Sequence, residues 1–197
     1  ILQFSVMLCQ YKCPASFYVV SDCIERNIPT WTHILEYTFQ HTQKIEIDLP
    51  FSFLPAALHG GQYHSKQERI RFAGKLKPFL KSLPHEQRQK VLDHIREYFS
   101  DVEYPKLMMN WSDLLELKNA GHYIGSHTTT HGMLGTMNDE AEIRSELTLS
   151  ARMIEEKLHH RPVTISYPVG SFNDQTKKLS EEAGYRLGLA VKQQLFD

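Results

Sequence analysis

Two histidines four residues apart stand in Ser126-His127-Thr128-Thr129-Thr130-His131. On a helical turn this spacing points both imidazoles the same way, so they could share one metal ion. The chain has 11 histidines in 197 residues, so such pairs also arise by chance. Capping or core histidines are the other reading. A second candidate is Ser166-Tyr167-Pro168-Val169-Gly170. Pro-x-Gly can turn a backbone N–H toward a ligand, or it can simply reverse the chain. Asp22 follows an apolar segment and could join a metal site, although a turn or cap is its plainer role. Asp174 reads as a helix-start residue after Asn173. His122 reads as structural, and His59 and His64 as loop surface beside Gly60-Gly61. His159-His160 close a helix, where such side chains suit the last carbonyls.

The elements that position these groups follow from pattern. Residues 1–11 are apolar at 1, 2, 4, 6–9 and 11 and suit a buried helix, which Pro14 ends. Ala15 to Val20 is rich in aromatic and β-branched residues and reads as a buried strand. A short helix is expected over Trp31 to Phe39, capped by Thr30. Lys44 to Asp48 could be a strand, and Phe51 to His64 a surface loop. Lys66 to Lys77 and Pro84 to Phe99 are predicted amphipathic helices. The remainder alternates: helix Trp111–Asn119 stopped by Gly121, strand Tyr123–Ser126, and a long helix from Asp139 capped by Asn138, with apolar positions 143, 147, 154 and 158. Strand Val163–Tyr167, helix Asp174–Ala183 and strand Tyr185–Val191 follow. Strands alternating with helices argue for parallel βαβ units, whose sites lie at the C-terminal ends of the strands. Both candidate motifs directly follow a predicted strand.

Composition bounds the function. With 22 Lys+Arg, 23 Asp+Glu and a net charge of −1, the chain lacks the excess positive charge of a nucleic-acid footprint. No apolar run reaches the roughly 18 residues of a transmembrane helix. The start, Ile-Leu-Gln-Phe-Ser, has neither an initiator methionine nor a basic segment and does not read as a signal peptide. Cys9, Cys13 and Cys23 form no disulfide framework; Cys9 and Cys13, at i,i+4 on the first helix, read as buried thiols, with a bridge or soft-metal contact as the alternative.

Four blocks, taken in order, resemble the polysaccharide deacetylases (carbohydrate esterase family 4, the NodB-homology domain). Gly121-His122-Tyr-Ile-Gly125-Ser126-His127-Thr128-Thr-Thr-His131 is similar to that family's second motif, Gly-His-x-x-Gly-x-His-Thr-x-x-His. Pro162 to Gly170 resembles its third motif in the Tyr-Pro-x-Gly variant. Glu182-Ala-Gly-Tyr185 resembles a later strand entry, and Tyr11 to Val20 its second strand. The resemblance covers about 1–24 and 108–192; residues of about 40–106 look like a helical insertion within a single domain, 1–197. It implies a deformed (β/α) barrel, incomplete at its N-terminal strand.

The resemblance also implies a bacterial metal-dependent hydrolase that removes N-acetyl groups from amino sugars of a polysaccharide or oligosaccharide. One divalent metal ion, zinc or another divalent transition metal, would be held by His127, His131 and an aspartate. The Val169 N–H would hold the oxyanion, Thr128 would steady His131, and Tyr167 would contact substrate. Trp31, Trp111 and Tyr63 could stack on a sugar, but Trp111 reads as a buried staple and Leu107 to Met109 as core. The family's Thr-Phe-Asp-Asp-Gly motif and its late Leu-x-His motif are not in residues 1–197, and Ser166 stands where the usual arginine would. These departures keep open an inactive deacetylase-like domain that binds carbohydrate or a protein partner, and a small-molecule amidohydrolase. Free thiols suit the cytoplasm, while the implied substrate suits the cell envelope.

Overall fold

The computed structural model describes residues 2–191, without the side chains of residues 2–4. The chain forms two compact units, one built from the segments up to Ile28 and from Lys106 onward, the other from Pro29–Pro105.

The first unit is an α/β layer. Strands β1 (Ser16–Val19), β4 (Tyr123–Ser126), β5 (Thr164–Ser166) and β6 (Leu187–Leu189) form one parallel sheet in that order. Helices α1 (Leu2–Gln10), α2 (Ser21–Arg26), α6 (Trp111–Asn119), α7 (Glu140–Leu158) and α8 (Asp174–Glu182) accompany it. The crossovers run through α7 from β4 to β5 and through α8 from β5 to β6, as parallel strands require. This is the strand–helix alternation of a deformed (β/α) barrel.

The long helix organises the core. Ile143, Leu147 and Ala151 pack with Leu134, Met137, Ile165, Leu179 and Tyr185. One turn further, Ile154 and Leu158 pack with Val19, Ile24, Leu114, Leu117 and Ile124. The 143, 147, 154, 158 stripe therefore spans two clusters from one face, as a 3.6-residue period dictates. The N-cap is Asp139, whose carboxylate accepts from Ala141 N–H at 2.8 Å, and not Asn138. Helices α6 and α8 each open with a reciprocal capping box, Asn110 with Asp113 and Asn173 with Thr176. Gly125 in β4 sits opposite Tyr18 of β1, and a Cβ there would lie 2.5 Å from the Tyr18 ring. The small residue makes room for that aromatic.

Two local expectations change here. Cys9 and Cys13 are exposed, and α1 ends at Gln10 before reaching Cys13. Leu107 is 82% exposed and outside the core, while Met108 and Met109 pack against it.

The second unit contains α3 (Trp31–His41), β2 (Glu46–Asp48), β3 (Gly60–Gln62), α4 (Lys66–Ser82) and α5 (His85–Tyr98). Its core includes Leu35, Phe39, Leu76, Leu80, Val91, Ile95 and Phe99, with Phe39 edge-on to both Phe72 and Phe99. The segment expected to be a loop contains β3, which pairs antiparallel with β2. Gly60 makes that approach feasible: a Cβ there would meet the Ile47 carbonyl at 2.0 Å. Helix α4 runs through Pro78 to Ser82 because Leu76 and Leu80, both fully buried, hold the turns on either side. The proline forfeits one backbone bond, to Gly74. Arg88 is buried, donates to the Leu83 carbonyl at 3.2 Å, and has its pKa pulled down to about 10 by burial. No helix among the described residues is long and apolar enough to cross a membrane.

Candidate metal centre

The parallel strands β4 and β5 bring Ser126 and Ser166 to the same sheet edge, with Ser126 opposite Ile165. Residues 127–133 then leave β4 as a loop, not as the helical turn that the i,i+4 spacing suggested. Thr128 and His131 take left-handed backbone conformations, φ +67° and +65°, which break any helical run. The loop nevertheless brings the two imidazoles together, with ring centroids 4.9 Å apart and an interplanar angle of 66°. The pairing is produced by tertiary bonds, not by helical periodicity.

His127 is fixed from two sides. Its backbone N–H donates to the Val19 carbonyl of β1 at 2.8 Å. Its ring Nδ1 lies 2.6 Å from the Ser166 carbonyl oxygen at the end of β5. A carbonyl only accepts, so Nδ1 carries the proton and Nε2 keeps its lone pair. Burial lowers the pKa of His127, and the bond to Ser166 opposes that effect in part. The net lowering favours a neutral imidazole, and the bond from Nδ1 to Ser166 leaves Nε2 available. This is the tautomer that a metal ligand needs.

The loop between the histidines is held from below. Fully buried Thr128 accepts the Gly132 N–H on Oγ1 at 3.1 Å, closing the chain across His131. Ser126 Oγ accepts the Thr128 N–H at 3.2 Å and meets Ser150 Oγ of α7 at 2.8 Å. The carbonyls of Thr128 and Thr129 accept from Ser21 and Asp22 of α2, at 3.3 and 2.9 Å.

Glu146 of α7, 8% exposed, reaches the same loop. Its Oε2 accepts the N–H groups of Thr129 and Thr130, each at 2.9 Å, and its Oε1 accepts the Thr130 hydroxyl at 2.5 Å. Sequence reasoning passed over Glu146. The available signal was its place between Ile143 and Ser150, a carboxylate at core-facing spacing on a buried helix face.

The second loop is built differently. Pro168–Gly170 is a single 3-10 turn, closed by Gly170 N–H to the Tyr167 carbonyl and Ser171 N–H to the Pro168 carbonyl, both at 2.9 Å. Val169 sits in it at φ +58°, ψ +13°, with its side chain 42% exposed. A β-branched residue in this region is strained. The resemblance expects Tyr167 to contact substrate. Its ring is 6% exposed, stacks on Phe172, and donates its hydroxyl to Ser180 Oγ at 3.1 Å.

The other candidates take other roles. Asp22 pairs with Arg26 at 3.1 Å, and Asp174 is an exposed helix-start residue paired with Lys177. His122 is buried and accepts the Ala15 N–H on Nδ1 at 3.2 Å. His159 is the left-handed C-cap of α7. Trp111 is half-buried and donates to Glu25 Oε2 at 2.5 Å. The two rings thus lie close together, and the His127 tautomer leaves its Nε2 lone pair available to a ligand. Among the described residues, no group of three or more His, Cys, Asp or Glu could hold a metal ion.

The sequence matches the polysaccharide deacetylase family model over residues 3–188. Over 77 residues it is 32% identical to YxkH of Bacillus subtilis, a provisionally named polysaccharide deacetylase; the match spans 39% of this chain and 27% of that protein. The BpsB deacetylase domain of Bordetella bronchiseptica superposes with a TM-score of 0.54 at 16% identity, covering 98% of this chain and 59% of that one. The Streptococcus pyogenes deacetylase PplD, solved with acetate, gives 0.53 at 14% identity, covering 96% and 50%. At these identities the two structures establish a shared fold, and the chain spans 59% of the length of the first and 50% of the second. The chain belongs to the polysaccharide deacetylase family.

Proposed function

We propose that this chain is the metal-binding part of a bacterial hydrolase that removes N-acetyl groups from amino sugars of a polysaccharide. One observation carries the reading: His127 and His131 meet at the C-terminal edge of the parallel sheet, with His127 Nδ1 committed to Ser166 and its Nε2 left available. The two histidines would hold one divalent metal, for which zinc suits the imidazole donors. When bound, such an ion polarises an amide carbonyl and makes water a better nucleophile near neutral pH.

The remaining work falls to this chain's own residues. Ser166 keeps the His127 ring in one tautomer and one orientation. Thr128 closes the loop around His131. Val169, strained at the end of β5, would aim its backbone N–H at the oxyanion that develops as the amide is attacked. A β-branched residue held in the left-handed region, three residues after the His127 partner Ser166, supports that role.

The test uses the intact protein. Zinc content and affinity are measured for wild type, His127→Ala, His131→Ala and the double variant, alongside acetate release from an N-acetylglucosamine oligomer. Stoichiometric zinc in wild type and its loss in the double variant is the expected result. Unchanged metal content in the double variant would overturn the assignment.

A further inference from the structure

We infer that Glu146 is a positioning residue for His131, acting through the two threonines that precede it. The inference rests on the metal-site reading above and adds a residue outside the two histidine-bearing loops. Glu146 stands on α7, 16 positions beyond Thr130, yet all the bonds described for its carboxylate end on residues 129 and 130. Its own backbone carbonyl also accepts the Thr129 hydroxyl at 3.0 Å. Four hydrogen bonds therefore fix two consecutive residues midway between the candidate ligands.

The choice of a carboxylate is explained by donor count. Two amide N–H groups converge on one oxygen, and a hydroxyl reaches the other. A carboxylate is acceptor-only and takes all three. Burying it against backbone donors offsets the loss of water. Its stem also lies against Gly132, where a Cβ would come within 3.1 Å of the Glu146 carboxyl carbon. Residues on both sides of His131 are thus shaped around this one side chain. His131 itself is held at φ +65°, a conformation that its neighbours must impose. Glu146 is not a metal ligand in this arrangement, because its oxygens are occupied by the loop.

The experiment compares the intact wild type with Glu146→Gln and Thr130→Val. Glutamine keeps the length but presents a donor where an acceptor was. Valine deletes only the hydroxyl contact to Oε1. Three readouts are taken: zinc affinity by competition with a chromophoric chelator, amide exchange at Thr129 and Thr130, and the thermal midpoint. Glu146→Gln is expected to remain folded, to exchange those two amides faster, and to bind zinc about 10–100-fold more weakly. Thr130→Val is expected to lose only a few-fold in affinity. A folded Glu146→Gln protein with wild-type zinc affinity overturns the inference, even if its midpoint falls, because that pattern marks a purely structural role. If wild type takes up no zinc, the metal-site reading fails. The clamp is then judged by the ring resonances of His131, and unchanged resonances in Glu146→Gln overturn it.

Discussion

Residues 127–132 and residues 167–171 leave neighbouring parallel strands at the same sheet edge, but they are secured by different means. The first loop is tied to its surroundings by side chains: Glu146 and Ser150 from α7, and Thr128 from within. The second is anchored at its ends, Tyr167 to Leu189 and Ser180 and Ser171 to Gly135, and between them it is shaped by its own backbone, with two turn hydrogen bonds and a left-handed valine. A loop that must present two side chains in a fixed relation needs support from outside itself. A loop proposed to present one backbone N–H can be shaped largely by local dihedral angles between anchored ends. The difference can be tested by changes that hurt one loop and spare the other.

The largest effect is expected from adding one carbon to each loop. A Cβ on Gly170 would lie 2.5 Å from the Val191 carbonyl oxygen, with φ at +70°. Backbone cannot move aside cheaply, so Gly170→Ala should cost about 2–4 kcal/mol. At Gly132 the nearest atom is the terminal methyl of Met137, also at 2.5 Å, and a flexible side-chain end can yield. Gly132→Ala should cost about 1 kcal/mol or less in stability. Chemical denaturation of the two variants decides it; equal costs would mean that the second loop is not governed by its backbone.

Beneath the second loop, Tyr185 belongs to the same cluster as Tyr167, and its hydroxyl donates to the Leu147 carbonyl at 3.0 Å. Burial raises its pKa to about 12 from 10. The sign follows directly. Below pH 10 the phenol is protonated in both states and its contribution is complete. Between pH 10 and 12 the unfolded chain ionises first, so stability falls. A shift of about two units corresponds to about 2–3 kcal/mol at most. Unfolding free energy measured from pH 9 to 12 should decline more steeply in wild type than in Tyr185→Phe. Parallel curves would show that this phenol does not govern the alkaline loss.

Beneath the first loop the corresponding support is polar. Ser126→Ala removes the partner of Ser150 and the acceptor of the Thr128 N–H, all three residues being buried. Stranding a buried donor costs about 1–3 kcal/mol. The double variant with Ser150→Ala should cost less than the sum of the two singles, because the second change removes a group already stranded. Strict additivity would indicate that the two hydroxyls do not support the loop together.

The different origins of the two loops explain which parts of the molecule were legible in the sequence. The α7 stripe was readable because a 3.6-residue period with large apolar side chains has only one burial solution. Capping pairs such as Asn173 with Thr176 act over three residues and leave a local mark. The parallel direction of the strands followed from strand–helix alternation. The conformations of Thr128 and His131 left no such mark, because the loop that carries them is braced by Ser21, Asp22 and Glu146, far along the chain. Glu146 shows the same effect from the other side: its role depends on what lies opposite, 16 residues away. Helix α4 outran its expected end because buried Leu76 and Leu80 outweigh the break at Pro78. Strand β3 was hidden by Gly60-Gly61, which resemble a loop in composition but permit a close strand crossing.

The smallest effect expected is a gain, and it concerns the residue where strain and proposed chemistry coincide. Val169 at φ +58° bears the penalty of a β-branched side chain in the left-handed region, about 1–2 kcal/mol. Glycine removes that penalty but adds about 0.5–1 kcal/mol of unfolded-chain entropy. Val169→Gly should therefore stabilise the fold by about 0.5–1 kcal/mol. The backbone N–H survives the change, but the turn that aims it becomes softer. If that N–H is the oxyanion donor, acetate release should slow through kcat while KM stays near its original value, since the donor acts where charge develops. Val169→Ala, which keeps a Cβ in the same backbone conformation, should leave kcat close to wild type. A glycine variant that is both more stable and fully active would separate strain from catalysis and remove Val169 from the proposed mechanism, leaving the side-chain-braced histidine loop as the only part of the site whose geometry must be held rigid.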